Sequence, residues 1–407
     1  MVLAATKHTL AVAAVASLTA ALLSASPVRA QAPAFLFTNI DDSTDAASLG
    51  FFGEAPSINN AGTVAFTSGA GILTGNGSGT FTTITDGTAF SFLTEDPAIN
   101  DSGTVAFNAG LLGTRFQGIF TGNGGALTTI AGVGDSFRNV SDASINAAGT
   151  VAFGAGTGFA LTSVFTGNGG ALTTIATTSP TGFSGFGGAS INSAGTVAFL
   201  GIQGTGSATV AGEFSGLNGA TTIGQVTGFG PAAGSEFSNP AINNAGRVAF
   251  FGTPDANGQA FGVFTGDGGA LDTIVDINSD PNLIATEHPS LNNAGAVAFE
   301  SFEADGTEQM LLSLPGAATP TRVLQSGDTL FGATVTSLFV GAFALNDNNQ
   351  LTFSYTLDDG RTGIGVARLA ASSPTAAPEP GSLLLFLPIL ALALVRRSEL
   401  GSDGEHL

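Results

Sequence analysis

The middle of the chain repeats one short pattern of apolar and polar positions. Each copy reads Asn-x-x-Gly-x-Val-Ala-Phe and follows an isoleucine or a leucine, and successive copies start 41 to 54 residues apart. The complete copies start at Asn59, Asn100, Asn146, Asn192, Asn243 and Asn292, and a looser seventh copy starts at Asn346. An apolar residue, a polar turn and an apolar triplet in this order predict two short strands joined by a tight hairpin.

Two positions of this pattern have the chemistry of a turn. The asparagine is expected to fold its side chain onto the turn backbone as an Asx turn. The fourth residue is expected to take the left-handed backbone conformation, which glycine reaches freely. That residue is Gly62, Gly103, Gly149, Gly195, Gly246 and Gly295 in the complete copies. In the seventh copy it is Asn349, and asparagine is one of the few other residues that visit this conformation.

Each copy continues with further short apolar segments. One of them precedes an Asn-Gly or Asp-Gly dipeptide, such as Asn123-Gly124, which favours a primed hairpin turn. The next is rich in leucine, threonine and isoleucine, as at 127–130. Four antiparallel strands in about 40 to 50 residues correspond to one propeller blade, whereas a solenoid coil needs roughly half that length. The seven copies therefore predict an all-β, seven-bladed β-propeller over residues 31–370.

The last copy lacks its leucine- and threonine-rich segment, and a matching segment occurs at the start of the body. Residues 35–40 read Phe-Leu-Phe-Thr-Asn-Ile and are followed by Asp41 and Asp42, like the acidic turns that end this segment in other copies. We therefore predict that the N-terminal strand pairs with the last blade. This pairing would close the ring and remove open sheet edges that invite aggregation.

The N-terminal 30 residues have the composition of a targeting segment. Lys7 precedes an apolar stretch, and small residues stand at the minus-three and minus-one positions before a cut after Ala30. This order is typical of a secretory signal peptide on residues 1–30. We therefore expect export through the secretory pathway.

The C-terminal end follows a second ordered pattern. Residues 371–377 are a flexible linker. The pattern then runs through Pro378, Glu379 and Pro380, an uncharged apolar stretch, Arg396 and Arg397, and a polar tail at 398–407. The apolar stretch is shorter than the roughly 20 residues that cross a bilayer, which favours temporary retention in a membrane.

Residues 378–397 resemble the PEP-CTERM sorting signal of exported proteins from Gram-negative bacteria that make exopolysaccharide. This resemblance implies processing by exosortase-type sorting machinery, a transient association with the inner membrane, and delivery to the cell surface or beyond it. The repeat over residues 35–370 resembles the NxxGxxAF tandem repeat of exported bacterial proteins that carry various sorting anchors. Neither resemblance implies an activity or a catalytic residue.

Composition and charge remove several classes of function. The chain has no cysteine, which excludes a disulfide scaffold, a thiolate zinc site and a cysteine nucleophile. Its formal net charge is −20, with 30 acidic and 10 basic residues. A body this acidic repels polyanions, so no nucleic-acid partner is expected.

No catalytic residue is indicated, and calcium is the one cofactor that the sequence suggests. His288 is the only histidine of the exported body, and no Gly-x-Ser-x-Gly elbow occurs. A low-specificity match to a calcium loop places oxygen ligands at positions 1, 3, 5, 7 and 12. These residues are Asp276, Asn278, Asp280, the backbone of Asn282, and Glu287. Pro281 stands where such a loop needs glycine, so the alternative is a solvated acidic loop between blades.

Three hypotheses of function follow. The first is an exported, non-enzymatic interaction or structural component of the cell surface or extracellular matrix, associated with exopolysaccharide. The second is a glycan-binding or glycan-cleaving propeller, the latter requiring two carboxyl groups about 5 to 10 Å apart. The third is a calcium-dependent adhesion module.

Overall fold

The computed structural model describes residues 34–44, 55–94, 96–203, 210–216, 221–226, 240–252 and 261–370. Contacts divide the chain after Ala34, and the fold given below belongs to the unit that begins at Phe35. The predicted signal peptide at 1–30, the linker at 371–377, the sorting signal at 378–397 and the tail at 398–407 lie outside the described residues. No helix within the described ranges has the length and hydrophobicity that a membrane crossing requires.

The described part of the chain forms short β-strands and one 3-10 turn, η1 (Val133–Asp135). The first strand is β1 (Phe35–Asp42). Blade 1 contains β2 (Ser57–Ile58), β3 (Val64–Ser68), β4 (Gly71–Gly75) and β5 (Thr82–Thr85). Blade 2 contains β6 (Phe90–Leu93), β7 (Ala98–Ile99), β8 (Val105–Leu111), β9 (Gln117–Gly122) and β10 (Thr128–Ala131). Blade 3 contains β11 (Asn139–Val140), β12 (Ser144–Ile145), β13 (Val151–Gly156), β14 (Ser163–Gly167) and β15 (Thr173–Thr177).

The remaining four blades complete the order. Blade 4 contains β16 (Phe183–Ile191), β17 (Val197–Gln203), β18 (Val210–Ser215) and β19 (Thr221–Val226). Blade 5 contains β20 (Ala241–Ile242), β21 (Val248–Gly252), β22 (Gly262–Gly266) and β23 (Asp272–Asp276). Blade 6 contains β24 (Leu283–Leu291), β25 (Val297–Glu303), β26 (Glu308–Ser313) and β27 (Thr321–Gln325). Blade 7 contains β28 (Thr329–Leu330), β29 (Ala333–Phe339), β30 (Gln350–Leu357) and β31 (Thr362–Leu369).

Each blade is an antiparallel sheet, and the sheets form the predicted seven-bladed propeller. In blade 1 the strand order is β2-β3-β4-β5, and the other blades repeat it with small additions. β1 is the outermost strand of blade 7, in the order β1-β31-β30-β29-β28. Its register runs from Phe35 opposite Leu369 to Asp42 opposite Gly363. The prediction that the N-terminal strand completes the last blade is therefore confirmed.

The core is divided among the seven junctions between neighbouring blades, each with its own cluster of buried apolar side chains. At the first junction, Ala65 and Ile72 of blade 1 meet Val105 and Phe107 of blade 2. The valine and phenylalanine of a triplet thus face the preceding blade, and the alanine faces the following one. The triplet phenylalanines are fully buried at Phe66, Phe107, Phe153, Phe199, Phe250, Phe299 and Phe353. Burying one such side chain contributes roughly 1.5–3 kcal/mol, which explains why the triplet recurs without polar alternation.

The two faces of the ring carry different loops. The corner face carries the asparagine-led turns, which occupy 59–63 in blade 1 and 100–104 in blade 2 and keep this length in every blade. The opposite face, here named the variable face, carries the loop after each Val-Ala-Phe strand. That loop spans 69–70 in blade 1 and 157–162 in blade 3. The links from one blade to the next also lie on the variable face. Most of the unequal spacing of the repeats therefore comes from the variable face, although the loop between the third and fourth strand, on the corner-face side, also differs, as at 123–127 in blade 2 and 314–320 in blade 6.

The predicted primed turns at the Asn-Gly dipeptides are wrong. Gly77, Gly124, Gly169 and Gly268 do have positive φ values, but the residues before them do not, and a primed type I turn needs both. The loops are longer than two residues, as at 76–81 between β4 and β5. In this loop Asn76 Oδ1 accepts the backbone N–H of Ser78, which forms an Asx turn instead.

Candidate functional site

The repeated asparagines form a closed ring of hydrogen bonds around the propeller axis. The Nδ2 of Asn59 donates to the backbone carbonyl of Asn100 at 3.1 Å. The same bond recurs from each asparagine to the next, and the Nδ2 of Asn346 returns to the carbonyl of Asn59 at 2.9 Å. Every blade is therefore tied to its successor by the same side chain, including the last blade to the first.

The other half of each amide holds its own turn together. The Oδ1 of Asn146 accepts the N–H groups of Ala148 and Thr150, each at 3.0 Å. The backbone of Asn146 also exchanges hydrogen bonds with Gly149 and Thr150. Gly149 has a φ of +80° and Asn349, its counterpart in blade 7, a φ of +55°, so the left-handed fourth position is confirmed. The Asx turn is confirmed as well, but the bond to the next blade was not predicted.

A cup of about 190 Å³ opens on the corner face where these turns meet at the axis. The cup is lined by the repeated asparagines, their following residues, and the aliphatic residues Ile58, Ile99, Ile145, Ile191, Ile242, Leu291 and Leu345. At its rim, Asn60 Nδ2 donates to the carboxylates of both Asp101 and Asp347, each at 3.0 Å. The polar groups of the cup thus bond chiefly to one another, and they serve to hold the ring.

A second set of contacts links the blades at their outer ends. A Cβ placed on Gly124 of blade 2 would lie 2.6 Å from the methyl carbon of Thr82 in blade 1. Gly169 of blade 3 meets Thr128 of blade 2 in the same way, and Gly77 of blade 1 meets Thr38 of β1. Such a distance leaves no room for a side chain. The glycine of the Asn-Gly dipeptide is therefore required by the neighbouring blade as well as by its own turn.

The variable face has a different surface. Among the described residues, the exposed large hydrophobic side chains are Leu36, Phe92, Leu112, Phe159 and Ile284. All of them except Leu36 lie on the variable face, because their strands or loops are at the end of the sheet away from the asparagine turns. Phe159 is 83% exposed, and the guanidinium carbon of Arg138 lies 5.1 Å from the centre of its ring. This face combines loops of varying length with exposed apolar groups.

The segment predicted to bind calcium also lies on the variable face, but its residues are arranged differently from a calcium loop. The Oδ1 of Asp276 accepts the N–H of Ser279 at 2.7 Å, and the Nδ2 of Asn278 donates to the other carboxylate oxygen of Asp276. Partial burial raises the pKa of Asp276, but these hydrogen bonds outweigh it and lower the pKa overall. Glu287 lies within β24, where its backbone is opposite Glu300 in register.

Two residues of the predicted calcium loop, Asp280 and Asn282, lie near Glu303 and Asp305, which the sequence did not group with them. Asn282 lines a cavity of about 520 Å³ together with Glu303 and Asp305. Burial, the charge of Asp280 and the charge of Asp305 together raise the pKa of Glu303. Within the described ranges, no group of three or more His, Cys, Asp or Glu side chains is placed to hold a metal ion. Calcium binding here stays a prediction.

The single tyrosine and the acidic residues around it have local structural contacts. Tyr355 is buried, and its hydroxyl donates to Asn39 Oδ1 at 2.9 Å. The carboxylate of Asp42 accepts hydrogen bonds from Asn39 and from the backbone and hydroxyl of Thr44. Arg361 pairs with Asp359 at 2.9 Å. His288 lies in β24.

Together these features define a closed seven-bladed propeller whose repeated side chains join the blades and whose variable face is available for contacts. Residues 76–314 match the family of unknown function DUF7453. Because this match covers more than half of the chain, the protein belongs to that family. No curated protein matches the chain in sequence.

Several solved structures are similar to this chain at low identity. They include an oligogalacturonate lyase in complex with manganese, at 10% identity and a TM-score of 0.42, with 67% of this chain and 87% of that chain covered. TolB from Acinetobacter baumannii has 10% identity and a TM-score of 0.35, covering 62% and 59%. A puromycin-hydrolyzing peptidase of Mycobacterium tuberculosis has 14% identity and a TM-score of 0.42, covering 66% and 44%. Similarity this weak assigns no activity to the present chain.

Proposed function

We propose that the protein is an exported, non-enzymatic interaction or structural component of the cell surface or extracellular matrix, associated with exopolysaccharide. The corner face is a repeated scaffold, and the variable face is the surface that meets partners. The observation that supports this most directly is the placement of exposed apolar side chains, because Phe92, Leu112, Phe159 and Ile284 all lie on the variable face. Phe92, Leu112 and Phe159 lie in the neighbouring blades 2 and 3, and several exposed apolar groups on adjacent blades of one face favour a binding surface.

A glycan ligand is the partner that the chemistry of this face suits best. Phe159 presents a flat ring to solvent, and Arg138 beside it supplies several N–H donors that can bind the hydroxyl or carboxyl groups of a sugar. Tyr355 is not available for stacking, since it is buried and donates to Asn39. Phenylalanine therefore takes the role that tryptophan or tyrosine has in many sugar sites.

A glycan array probed with residues 31–377, with and without calcium, tests this proposal. We expect retention of at least one class of glycan and a loss of binding on the order of tenfold in Phe159→Ala, which corresponds to about 1.4 kcal/mol. Leu36→Ala is the matched control, since Leu36 is also exposed but lies in β1 away from the variable face. Retention of no glycan, or equal losses in both variants, would contradict a glycan site at Phe159.

The second candidate is a calcium-dependent adhesion module, and the acids around the 520 Å³ cavity are the observation that favours it. The charges of Asp280 and Asp305 both repel that of Glu303, which lines this cavity, and a divalent cation would relieve the repulsion. Calcium should then raise the thermal midpoint of the protein, because a ligand of the folded form stabilises it.

Asp280→Asn should abolish this calcium response, and Asp86→Asn, in an exposed turn on the same face, should preserve it. If the thermal midpoint of the unaltered protein does not change at calcium concentrations well above millimolar, the protein is not a calcium-dependent adhesion module.

A further inference from the structure

Blade 4 differs from the other blades at one position that faces the following blade. The position is identified by register, since it lies opposite the residue that follows the Val-Ala-Phe triplet. In the other blades it is apolar and fully buried, as Ile72, Ile119, Val164, Val263, Met310 and Ile364. In blade 4 it is Glu213, which is 1% exposed. At this position blade 4 thus has a carboxyl group, where the other blades have an isoleucine, a valine or a methionine.

The surroundings of Glu213 offer it little compensation. It lies opposite Leu200, and the junction is filled by Ala198, Leu200 and Ile223 of blade 4 with Val248, Phe250 and Phe264 of blade 5. The Oε2 of Glu213 has no hydrogen-bond partner. A buried charge without a partner costs several kcal/mol, so the group is stable there only in its neutral form.

The serine on the same face of blade 4 is also exceptional. Ser57, Ser144 and Ser290 each accept the backbone N–H of the aliphatic residue in the next blade, as in the 3.1 Å bond from Ile99 to Ser57. The hydroxyl of Ser190 is buried and has no such partner. The junction between blades 4 and 5 therefore has two polar groups that the fold leaves unsatisfied.

Among the described residues, the strands that surround this position carry no other charge. Apart from Glu213, the strands β16 to β22 contain no titratable residue. Arg247 precedes β21, but its guanidinium bonds to Thr265 and Asp272 within its own blade. Burial alone therefore raises the pKa of Glu213, to about 8.

We propose that the junction between blades 4 and 5 is an alkali-sensitive gate of the ring, closed while Glu213 is neutral and opened when Glu213 loses its proton. Opening separates the facing surfaces of the two blades and admits water to the carboxylate. The equivalent side chains of the other junctions cannot ionise, so those junctions have no such gate at this position. This inference does not depend on the proposed partner of the variable face.

The sign of the pH effect follows from the raised pKa. The ordinary value for glutamate is 4.5, and the value in the folded protein is about 8, so the folded state holds this proton more tightly than the unfolded state. Stability is therefore complete at low pH, falls as the pH rises between these values, and levels off above the upper one.

Amide hydrogen exchange on the full chain tests the gate. At about pH 4, below the ordinary value of 4.5, unaltered protein and Glu213→Val should protect the amides of β19 and β21 to the same degree. At about pH 9, above both values, those amides should exchange at least tenfold faster in the unaltered protein than in Glu213→Val. The amides of β5 and β8, at the junction of blades 1 and 2, should be equal in both proteins at both pH values.

Two further variants separate the gate from a general effect of buried acid. Glu300→Gln changes another buried glutamate, in β25 of blade 6, and should leave the exchange at β19 and β21 as it is. Glu213→Val combined with Val263→Glu should move the alkaline opening to the junction of blades 5 and 6. Equal exchange in unaltered protein and Glu213→Val at about pH 9, or faster exchange at every junction, would overturn the proposal.

Discussion

The corner face and the variable face of the ring use different chemistry to fix their loops. On the corner face, neutral amides such as Asn59 accept turn N–H groups and donate to the next blade. On the variable face, carboxylates cap the turns, as Asp86 does for Thr88 and Asp305 does for Thr307. The amide has both a donor and an acceptor, so one corner side chain can hold its own turn and also bond to the next blade, whereas the carboxylates of Asp86 and Asp305 only accept and hold their own loops. The corner face therefore joins the blades, while the loops of the variable face can change in length and sequence without breaking these bonds.

Among substitutions that compare the two faces, the largest loss of stability is expected at an asparagine of the corner face. Asn146→Ala removes the bond to the buried carbonyl of Asn192 and takes the acceptor from the part-buried N–H groups of Ala148 and Thr150, so it should lower the free energy of unfolding by about 2–4 kcal/mol. Asn139→Ala on the variable face loses one exposed bond to Phe159 and should cost less than about 1 kcal/mol. Urea unfolding of both variants measures the difference. Equal costs would show that the corner ring does not stabilise the fold more than a surface contact.

Glycine substitutions give the next largest contrast. Gly149→Ala should cost about 1–2 kcal/mol, because its φ of +80° is strained for alanine although nothing crowds the added methyl group. Gly158→Ala on the variable face has open space and no positive φ, so it should be neutral or slightly stabilising. Thermal midpoints of the two variants check this expectation. A cost at Gly158 as large as at Gly149 would mean that the variable loop is as constrained as the corner.

Much of the fold could be predicted, because the same residues recur at the same positions in each repeat. The asparagine and the glycine of each turn, and the missing strand supplied by residues 35–40, are visible as a pattern in one dimension. The acceptor of each asparagine Nδ2 cannot be read from the sequence. It is a backbone carbonyl of the next blade, which any residue would provide. The function of the asparagine in joining blades therefore required the three-dimensional arrangement.

The candidate sites were harder to predict, because burial and proximity decide them. Spacing alone grouped Glu287 with Asp276, but an extended strand carries Glu287 away along β24, while the turn at 304–307 brings Glu303 and Asp305 to Asn282. Glu213 could be aligned with Ile72, but its burial and its missing partner depend on the packing of blade 5. Phe159 is one of many phenylalanines, and its sequence context does not distinguish it as exposed.

Acid should loosen the variable face before the corner face. The pKa of Asp42 is lowered, because hydrogen bonds from Thr44 and Asn39 and the charge of Arg361 outweigh the opposing effect of burial. A lowered pKa in the folded state means that the stabilisation is present above the ordinary value of 3.8 and is lost as the pH falls through the lowered one. Amide exchange should therefore increase at Thr44 between about pH 5 and about pH 2.

The control for this titration lies on the corner face of the same protein. The N–H of Thr63 donates to the side-chain amide of Asn59. This amide is neutral and does not titrate in this pH range. Its protection, corrected for intrinsic exchange, should stay constant while that of Thr44 declines. A parallel loss at both amides would indicate global acid unfolding rather than a difference between the faces.

The smallest expected effect concerns the one corner that departs from the repeat. Asn349 has a φ of +55°, which glycine would adopt without strain, but its Oδ1 also accepts a 2.9 Å hydrogen bond from Asn292 Nδ2. In Asn349→Gly the relief of backbone strain and the loss of this bond oppose each other, so stability should change by less than about 0.5 kcal/mol. Asn349→Ala loses the bond and keeps the strain, and should cost about 1–2 kcal/mol. If Asn349→Gly instead stabilises the protein as much as Asn349→Ala destabilises it, the fourth position is purely conformational, and the asparagine in blade 7 adds nothing to the ring.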